Sequence, residues 1–294
     1  MRKKKIILTG SNGLIGSKFK QLFRTKYEII NFDLSDQNNP LDITNFKNLN
    51  QRFKKYSNIE AVVHMAAYTD VNKAFEEKNN KNGLVYKVNV IGTRNIARCC
   101  CEFSIPLIHL STAYVFDGQK KSSYVEDDNV NPIEWYGQTK AYAEEEVVKV
   151  LKQYVILRLD QPFRLDVFKK KDLLAKIING LNNKTLYPQF TNHYFGPTFV
   201  DDFCFIVDFF LKNLSITGSY HSSSGEKWND YDFSNLVRLN LKNDYNIRKS
   251  DLFEYLKKSV RPYQQNTSLN NNKLKKILNF EISKITDVLQ RLIL

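Results

Sequence analysis

Tyr136 and Lys140 lie four positions apart in the segment Tyr-Gly-Gln-Thr-Lys. In a helix, this spacing places the two side chains on one face, one turn apart. A free tyrosine has a pKa of about 10, which is too high for proton exchange at neutral pH. Because a nearby ammonium group favours the phenolate, Lys140 is expected to lower the pKa of Tyr136 and make it a usable general acid or base.

Two neighbouring hydroxyl residues, Ser111 and Thr112, follow an apolar run that predicts a buried strand. We expect Thr112, rather than Ser111, to hydrogen-bond a substrate carbonyl beside Tyr136. Asn89, in the helix that precedes this strand, is expected to position Lys140 or an active-site water. These residues define a predicted catalytic group of Thr112, Tyr136 and Lys140.

A glycine-rich turn between a predicted strand and a predicted helix has the spacing Gly-x-x-Gly-x-x-Gly. The first glycine permits a sharp turn, the second a close approach of a pyrophosphate, and the third close packing of helix on strand. The N-terminus of the helix then offers free N–H groups and a partial positive charge to the phosphates. The predicted dinucleotide contacts here are Gly10, Asn12, Gly13, Leu14, Ile15 and Gly16.

Asp33 ends the second predicted strand, where a carboxylate would accept hydrogen bonds from the hydroxyls of an adenosine ribose. A carboxylate there repels a 2′-phosphate, and the next two residues supply no arginine to bind one. NAD(H) is therefore favoured as the cofactor over NADP(H), which stays open. Asp42 and Ile43 are expected to flank the adenine, and Ala66 and Ala67 to leave room for the ribose and nicotinamide. Lys140 could also hold the nicotinamide ribose.

The spacing of apolar runs predicts an α/β fold with a doubly wound parallel sheet of the Rossmann type. Strands are expected at 5–9, 27–33, 59–65, 107–111 and 154–159, and helices at 14–23, 46–56, 84–103 and 136–152. After that, helices are expected at 172–181, 201–211 and 231–239, a strand at 218–222 and two helical stretches within 271–294. We expect a cofactor domain at 1–160 and a smaller, mixed substrate-binding lobe at 161–294, with some chain crossing back to the sheet.

The composition is that of a globular protein, with 42% hydrophobic residues among 294. The net charge of +13 is spread along the chain without a nucleic-acid-binding motif, so no nucleic-acid partner is expected. No apolar run reaches the roughly 18 residues of a membrane helix, and no signal peptide is indicated. The four cysteines fit neither a disulfide framework nor a metal site, so we expect a cytoplasmic protein without a bound metal.

Several motifs together resemble the extended short-chain dehydrogenase/reductases, and within them the dTDP-4-dehydrorhamnose reductase group. The resemblance runs nearly the whole length of the chain. It is carried by the glycine-rich turn and by the segments 64–71, 110–118, 135–140, 195–202, 218–221 and 261–262.

This resemblance implies that a nicotinamide hydride reduces the C4 ketone of a nucleotide-activated 6-deoxy-sugar. Tyr136 would donate the proton, Lys140 would lower its pKa and bind the ribose, and Thr112 would polarise the carbonyl. Tyr68, Asn89 and Tyr136 complete the implied cofactor contacts. The implied substrate contacts are Thr69, Thr112, Ala113 and Gln161.

Two residues depart from the family pattern on the substrate side. Ala113 stands where an aspartate is usual, and Gln161 where a tryptophan is common. The Ala113-Tyr114 pair also replaces the Asp-Glu pair of the 4,6-dehydratases, which argues against that activity. Two alternatives to the reductase stay open: a nucleotide-sugar epimerase, and a non-catalytic regulatory subunit resembling the beta subunit of methionine adenosyltransferase. A homo-oligomer is also left open.

Overall fold

A computed structural model describes residues 3–292 of the chain. Its strands are β1 (Lys4–Thr9), β2 (Tyr27–Phe32), β3 (Ile59–His64), β4 (Leu107–Thr112), β5 (Tyr154–Leu159), β6 (Pro162–Phe163), β7 (Gln189–Phe190), β8 (Tyr194–Phe195), β9 (Thr198–Phe199), β10 (Gly218–His221), β11 (Trp228–Asn229) and β12 (Lys249–Ser250). Its helices are α1 (Leu14–Phe23), α2 (Phe46–Lys54), α3 (Val71–Glu76), α4 (Leu84–Tyr86), α5 (Thr93–Glu102), α6 (Trp135–Val150), α7 (Leu173–Asn182), α8 (Val200–Lys212), α9 (Asp230–Asn240), α10 (Leu252–Leu256), α11 (Asn272–Lys275) and α12 (Ile285–Gln290).

Six parallel strands form the central sheet, in the order β10-β5-β4-β3-β1-β2. The order reverses at β1, which pairs with both β2 and β3, as in a doubly wound sheet. The predicted fold class is therefore confirmed. The register pairs Thr112 with Leu159, so β4 and β5 end next to each other at the carboxyl edge of the sheet. The predicted catalytic threonine lies at this edge.

Side chains from the two faces of the sheet enter two separate cores because successive strand residues point in opposite directions. On β1, Ile6 and Leu8 pack with residues of α1 and α8, whereas Ile7 packs with residues of α2 and α5. All three are fully buried. Helices cover both faces of the sheet, which explains why the sequences of the strands are continuously apolar.

The long helix predicted at 84–103 is divided in the structure. Between α4 and α5, residues Lys87–Gly92 form a π-helical segment that contains Asn89. Such wide turns inside helices are often found at functional sites. The short helix α3 follows β3 and is capped by the side chain of Asp70, and the sequence pattern did not predict it.

The second half of the chain contributes to both the sheet and a smaller lobe. β10 pairs with β5 at the edge of the sheet, and α8 packs on the β1 face. The lobe has its own core, in which Phe163, Phe195 and Phe233 are fully buried. Three two-stranded ladders, β6–β9, β8–β11 and β7–β12, run around this core. Within residues 3–292, no helix is both long and apolar enough to cross a membrane.

Candidate active site

The glycine-rich turn between β1 and α1 has the shape that a dinucleotide pyrophosphate requires. Gly10 has a φ of +64°, and a Cβ on it would lie 2.7 Å from the amide nitrogen of Ala66. A Cβ on Gly16 would lie 2.3 Å from the Gly10 carbonyl oxygen, so both positions require glycine. Within the part of the chain that the structure describes, no side chain caps the start of α1 at Gly13. The first N–H groups of the helix, at Leu14 and Ile15, are therefore available to an anion.

Asp33 lies just beyond β2, and its carboxylate is held by the turn residues. Its Oδ2 accepts a hydrogen bond from the Asn12 backbone N–H (2.8 Å). Its Oδ1 accepts from the Ser35 backbone N–H (2.8 Å) and the Ser35 hydroxyl (2.7 Å). Since a carboxylate offers about four acceptor positions, Oδ2 keeps one for a ribose hydroxyl. The predicted ribose-binding role is compatible with this geometry.

The Asp42–Ile43 segment and the end of β3 are both fixed on the cofactor side of the sheet. Asp42 accepts a hydrogen bond from the Thr44 N–H (2.8 Å), and the Ile43 carbonyl accepts one from the Asn95 side chain (2.9 Å). Ala66 N–H donates to the hydroxyl of Thr9 (3.1 Å). Ala66, one of the two small residues predicted to make room for the cofactor, is thus anchored through its backbone.

Asn89 clamps the segment after β3 to α6. Its Oδ1 accepts from the Tyr68 N–H (2.7 Å), and its Nδ2 donates to the Tyr68 carbonyl (3.2 Å) and to the Thr139 hydroxyl (3.0 Å). Lys140 instead donates to the Leu110 carbonyl (2.7 Å). Asn89 therefore positions the loop that carries Tyr68 and Thr69.

The start of α6 fixes Tyr136 by two unusual contacts. The carboxylate of Glu134 caps the helix by accepting from the N–H groups of Tyr136 (2.9 Å) and Gly137 (2.5 Å). A Cβ on Gly137 would lie 2.2 Å from the Tyr114 carbonyl oxygen, so only glycine allows α6 to approach this close. The ring of Tyr114 then meets that of Tyr136 edge to face, with centroids 5.8 Å apart.

Tyr136 stays protonated at neutral pH in this site. Burial raises the pKa of Tyr136 above its ordinary value, and the negative charge of Glu134 adds to the effect. The neighbouring Thr112 side chain lowers the pKa of Tyr136, but less than burial raises it. The pKa of Tyr136 therefore rises, contrary to the lowering expected from Lys140, because desolvation is the largest effect. A protonated phenol is the form that a proton donor needs.

Lys140 is 3% exposed, and burial lowers its pKa to about 8, while the Coulombic effect of Glu144 opposes that lowering. Glu144 follows one turn later on α6 and forms a buried ion pair with Arg158 (2.6 Å). The hydroxyl of Ser111 donates to the same carboxylate (2.5 Å). Ser111 is therefore committed to this pair, whereas the Thr112 hydroxyl accepts from the Tyr114 N–H (3.2 Å) and keeps its own proton to donate, which supports the choice of Thr112.

The substrate side combines a strained residue with a buried acid. Gln161 has a φ of +38°, in the left-handed region that non-glycine residues adopt only uncommonly. Beside it, Asp160 is 1% exposed and accepts hydrogen bonds from the Gly196 N–H (2.9 Å) and the Thr267 hydroxyl (2.6 Å). Its other oxygen, Oδ1, is buried without a partner in the described residues. Ala113 is fully buried.

Thr69 lies where the lobe reaches the sheet. The ammonium group of Lys170 donates to the Thr69 hydroxyl (3.2 Å). Lys170 belongs to the stretch between β6 and α7. The buried Arg164 in that stretch donates to the Leu14 carbonyl (3.0 Å) and the Ser17 hydroxyl (2.8 Å). One segment of the lobe therefore contacts both the predicted pyrophosphate turn and a predicted substrate residue.

Sequence reasoning missed two buried acids of this site. Glu134 precedes the first helical residue of α6, which is the position of an N-cap and could have been read as one. Asp160 gave no such signal, because its partners Gly196 and Thr267 lie 36 and 107 positions away.

Comparisons with known proteins agree with this architecture. The chain matches the family model described as the RmlD substrate binding domain over residues 4–294. It is 26% identical over 247 residues to the dTDP-4-dehydrorhamnose reductase of Aggregatibacter actinomycetemcomitans, covering 78% of this chain and 76% of that one. The chain therefore belongs to the RmlD substrate binding domain family.

Solved structures show the same fold. The dTDP-4-dehydrorhamnose reductase of Bacillus anthracis, in complex with NADP, superposes with a TM-score of 0.87, 24% identity and 99% coverage of both chains. The corresponding protein of Clostridium acetobutylicum superposes with a TM-score of 0.86 and 25% identity, covering 98% of this chain and 97% of that one.

Proposed function

We propose that this chain is a nicotinamide-dependent reductase that converts the C4 ketone of a nucleotide-linked 6-deoxy-sugar into an alcohol. One observation carries the proposal. Thr112, Tyr136 and Lys140 lie together at the carboxyl edge of the sheet, and the glycine-rich turn opens on the same edge. The names of the similar enzymes support this substrate class.

The residues present fit a dinucleotide cofactor. Gly10 and Gly16 leave a turn without side chains, α1 offers unpaired N–H groups, and Asp33 keeps an acceptor for the adenosine ribose. When bound, the nicotinamide supplies the hydride. Asp33 favours NADH, and the relative from Bacillus anthracis binds NADP, so either reduced form is compatible with the site.

In the proposed mechanism, the Thr112 hydroxyl and the Tyr136 phenol hydrogen-bond the ketone oxygen and polarise it. Tyr136 then donates its proton to that oxygen as negative charge develops there. Lys140, whose ammonium group is bound to the Leu110 carbonyl, is proposed to stabilise by its charge the phenolate that remains. Glu144, itself paired with Arg158, helps Lys140 keep that charge despite its burial.

We propose that residues 1–160 bind the cofactor and that residues 161–294 supply most of the nucleotide-sugar site. Gln161 is proposed to contact the sugar, since it directly follows β5 and Asp160 at the carboxyl edge of the sheet. Thr69, in the loop after β3, is proposed to contact the sugar from that side. Ala113, at the end of β4, is fully buried in an apolar cluster, so the structure does not favour the sugar contact predicted for it.

The test is a reduction assay with a matched variant. The protein is incubated with NADH or NADPH and dTDP-4-keto-6-deoxyglucose in the presence of a 3,5-epimerase, and the absorbance of the reduced cofactor is followed. We expect oxidation in the wild type and none above background in Tyr136→Phe. Absence of oxidation across a panel of nucleotide keto-sugars would overturn the proposal.

A further inference from the structure

A buried series of hydrogen bonds begins beside the glycine-rich turn. Its first member is Thr9, the last residue of β1, whose hydroxyl oxygen accepts from the backbone N–H groups of Met65 and Ala66 (3.1 Å each). Because these two donors fill the acceptor positions of the oxygen, the hydroxyl proton of Thr9 is directed elsewhere. It is donated to Nδ1 of His64 (2.6 Å), the residue opposite Thr9 in the sheet.

This contact fixes His64 as the neutral tautomer that carries its proton on Nε2. A ring nitrogen that accepts from Thr9 holds no proton, so the other ring nitrogen is the donor. Nε2 donates to the hydroxyl of Thr93 (3.0 Å), whose own proton is donated to the Asn89 backbone carbonyl (2.6 Å). Burial lowers the pKa of His64 to about 3, and the charge of Lys140 adds to this effect, so the ring is neutral at pH 7.

From Asn89 the series continues to the start of α6. The Asn89 side chain donates from Nδ2 to the Thr139 hydroxyl (3.0 Å), and Thr139 donates to the backbone carbonyl of Tyr136 (2.8 Å). Each member accepts from the one before it and donates to the next, so all the links share one direction. We call this series the polar chain, and its members, each at most 1% exposed, are Thr9, His64, Thr93, Asn89 and Thr139.

Both ends of the polar chain lie at the proposed reaction site. At one end, Thr9 precedes Gly10 and holds the amide of Ala66, and a Cβ on Gly10 would lie only 2.7 Å from that amide nitrogen. At the other end, the Thr139 hydroxyl supports the first turn of α6, which carries Tyr136. Removing one partner of a buried hydrogen bond leaves the other unsatisfied, so each link constrains the next. The polar chain therefore joins the cofactor turn to the catalytic helix.

His109 is a close structural counterpart of His64 that lies outside the polar chain. It is the neighbour of His64 on β4, is equally buried, and stacks on the His64 ring with the centroids 5.2 Å apart. Within the described residues, neither of its ring nitrogens has a hydrogen-bond partner. The two histidines thus share their burial and their stacking, and differ in hydrogen bonding.

We propose that His64 is a positioning residue, which holds the cofactor turn and the catalytic helix in a fixed relation through its two ring nitrogens. This inference rests on the proposed function for the reaction that the arrangement serves. His64 acts through Thr9 on the turn, and through Thr93 and Asn89 on the helix that carries Tyr136. Loss of the Nδ1 contact should therefore weaken cofactor binding, whereas loss of the contacts beyond Nε2 should slow the reduction.

Two substitutions break the polar chain on either side of the His64 ring. His64→Gln keeps an amide near the position of Nε2 but offers no acceptor at the position of Nδ1, so the Thr9 hydroxyl loses its partner. We expect the Kd of NADH, measured by fluorescence titration, to rise about 10-fold, with kcat at saturating NADH within about two-fold. Thr93→Val keeps the shape of the side chain and removes the link to Asn89. It should lower kcat about 10-fold and leave the Kd of NADH within about two-fold.

His109→Phe is the matched control, because it keeps a buried ring against His64 and removes no hydrogen bond within the described residues. Both kcat and the Kd of NADH should stay within about two-fold of the wild type. Equal changes of the same parameter in His64→Gln and Thr93→Val would overturn the proposal. So would values for these two variants that match those of His109→Phe.

Nitrogen-15 NMR of the wild type tests the arrangement without any substrate and without relying on the folding of a variant. The chain has four histidines, and comparison with His64→Gln assigns the ring signals of His64. We expect a neutral ring with its proton on Nε2 throughout the range from pH 5 to pH 8. A proton on Nδ1, or a charged ring at pH 7, would overturn the assignment. A protein that passes the NMR and Kd tests yet reduces no keto-sugar would keep the polar chain and lose the reductase function, so the two failures are distinguishable.

Discussion

Replacing Asp160 with asparagine removes a buried acid whose ionisation the fold resists. Asp160 is 1% exposed, and this desolvation raises its pKa from 3.8 to about 7. Hydrogen bonds from Thr267 and Gly196 oppose the increase but are outweighed by it. In the unfolded chain the same group ionises near its ordinary value. Between these two pH values the folded state binds a proton that the unfolded state has lost, so stability falls as the pH rises.

The size of the effect on the unfolding free energy follows from the shift in the pKa of Asp160. About three pKa units correspond to about 4 kcal/mol, an upper limit because water entry or local relaxation would relieve part of the cost. The stability that the folded state gains by keeping Asp160 protonated is fully present below pH 4. It is lost as the pH rises through about 7. In Asp160→Asn the side-chain oxygen can still accept from Gly196, and no charge forms. The variant should therefore gain stability relative to the wild type as the pH increases.

Urea unfolding at several pH values between 4 and 8 measures this difference directly. We expect the unfolding free energy of Asp160→Asn, minus that of the wild type, to increase by up to about 4 kcal/mol across the range. Taking the difference between the two proteins removes the titration of every group that Asp160 does not influence; His193, whose pKa Asp160 raises, is the exception. A difference that does not change with pH would refute the reasoning, because it would mean that Asp160 is ionised in the fold at no cost.

Three further substitutions test the site and its frame. Tyr136→Phe should lower kcat by about 10²- to 10⁴-fold with the cofactor Kd within two-fold, measured by steady-state kinetics and fluorescence titration; an unimpaired kcat would remove Tyr136 from the mechanism. Asn89→Ala should destabilise the chain by about 1–3 kcal/mol in urea unfolding, since it leaves the Tyr68 backbone without its partners; no loss would show that the clamp is dispensable. Gly16→Ala should weaken dinucleotide binding and stability together, because its Cβ would meet the Gly10 carbonyl at 2.3 Å, and normal binding of NADH would contradict this.

The sheet could be predicted because its strands are buried on both faces. Their sequences are therefore short apolar runs, and amphipathic helices separate them. Ile6, Ile7 and Leu8 show this pattern, since neighbours on one strand enter opposite cores. The ladders of the lobe could not be predicted. Each of their strands, such as Gln189–Phe190, is two residues long and too short for any periodicity.

The candidate site was predicted where its residues are local in sequence. Tyr136 and Lys140 occupy one turn of α6, and the glycine-rich turn is contiguous. Asp160 was missed because its burial depends on tertiary contacts. It arises only when the segments around Gly196 and Thr267 pack over the end of β5.

The central claim is that hydride passes from the reduced nicotinamide to C4 of the sugar. The most direct measurement uses NADH that carries deuterium at both C4 positions of the nicotinamide, with the product examined by mass spectrometry and proton NMR. We predict one deuterium per product molecule, located at C4 of the sugar. A product without deuterium, or with deuterium at another carbon, would contradict the account.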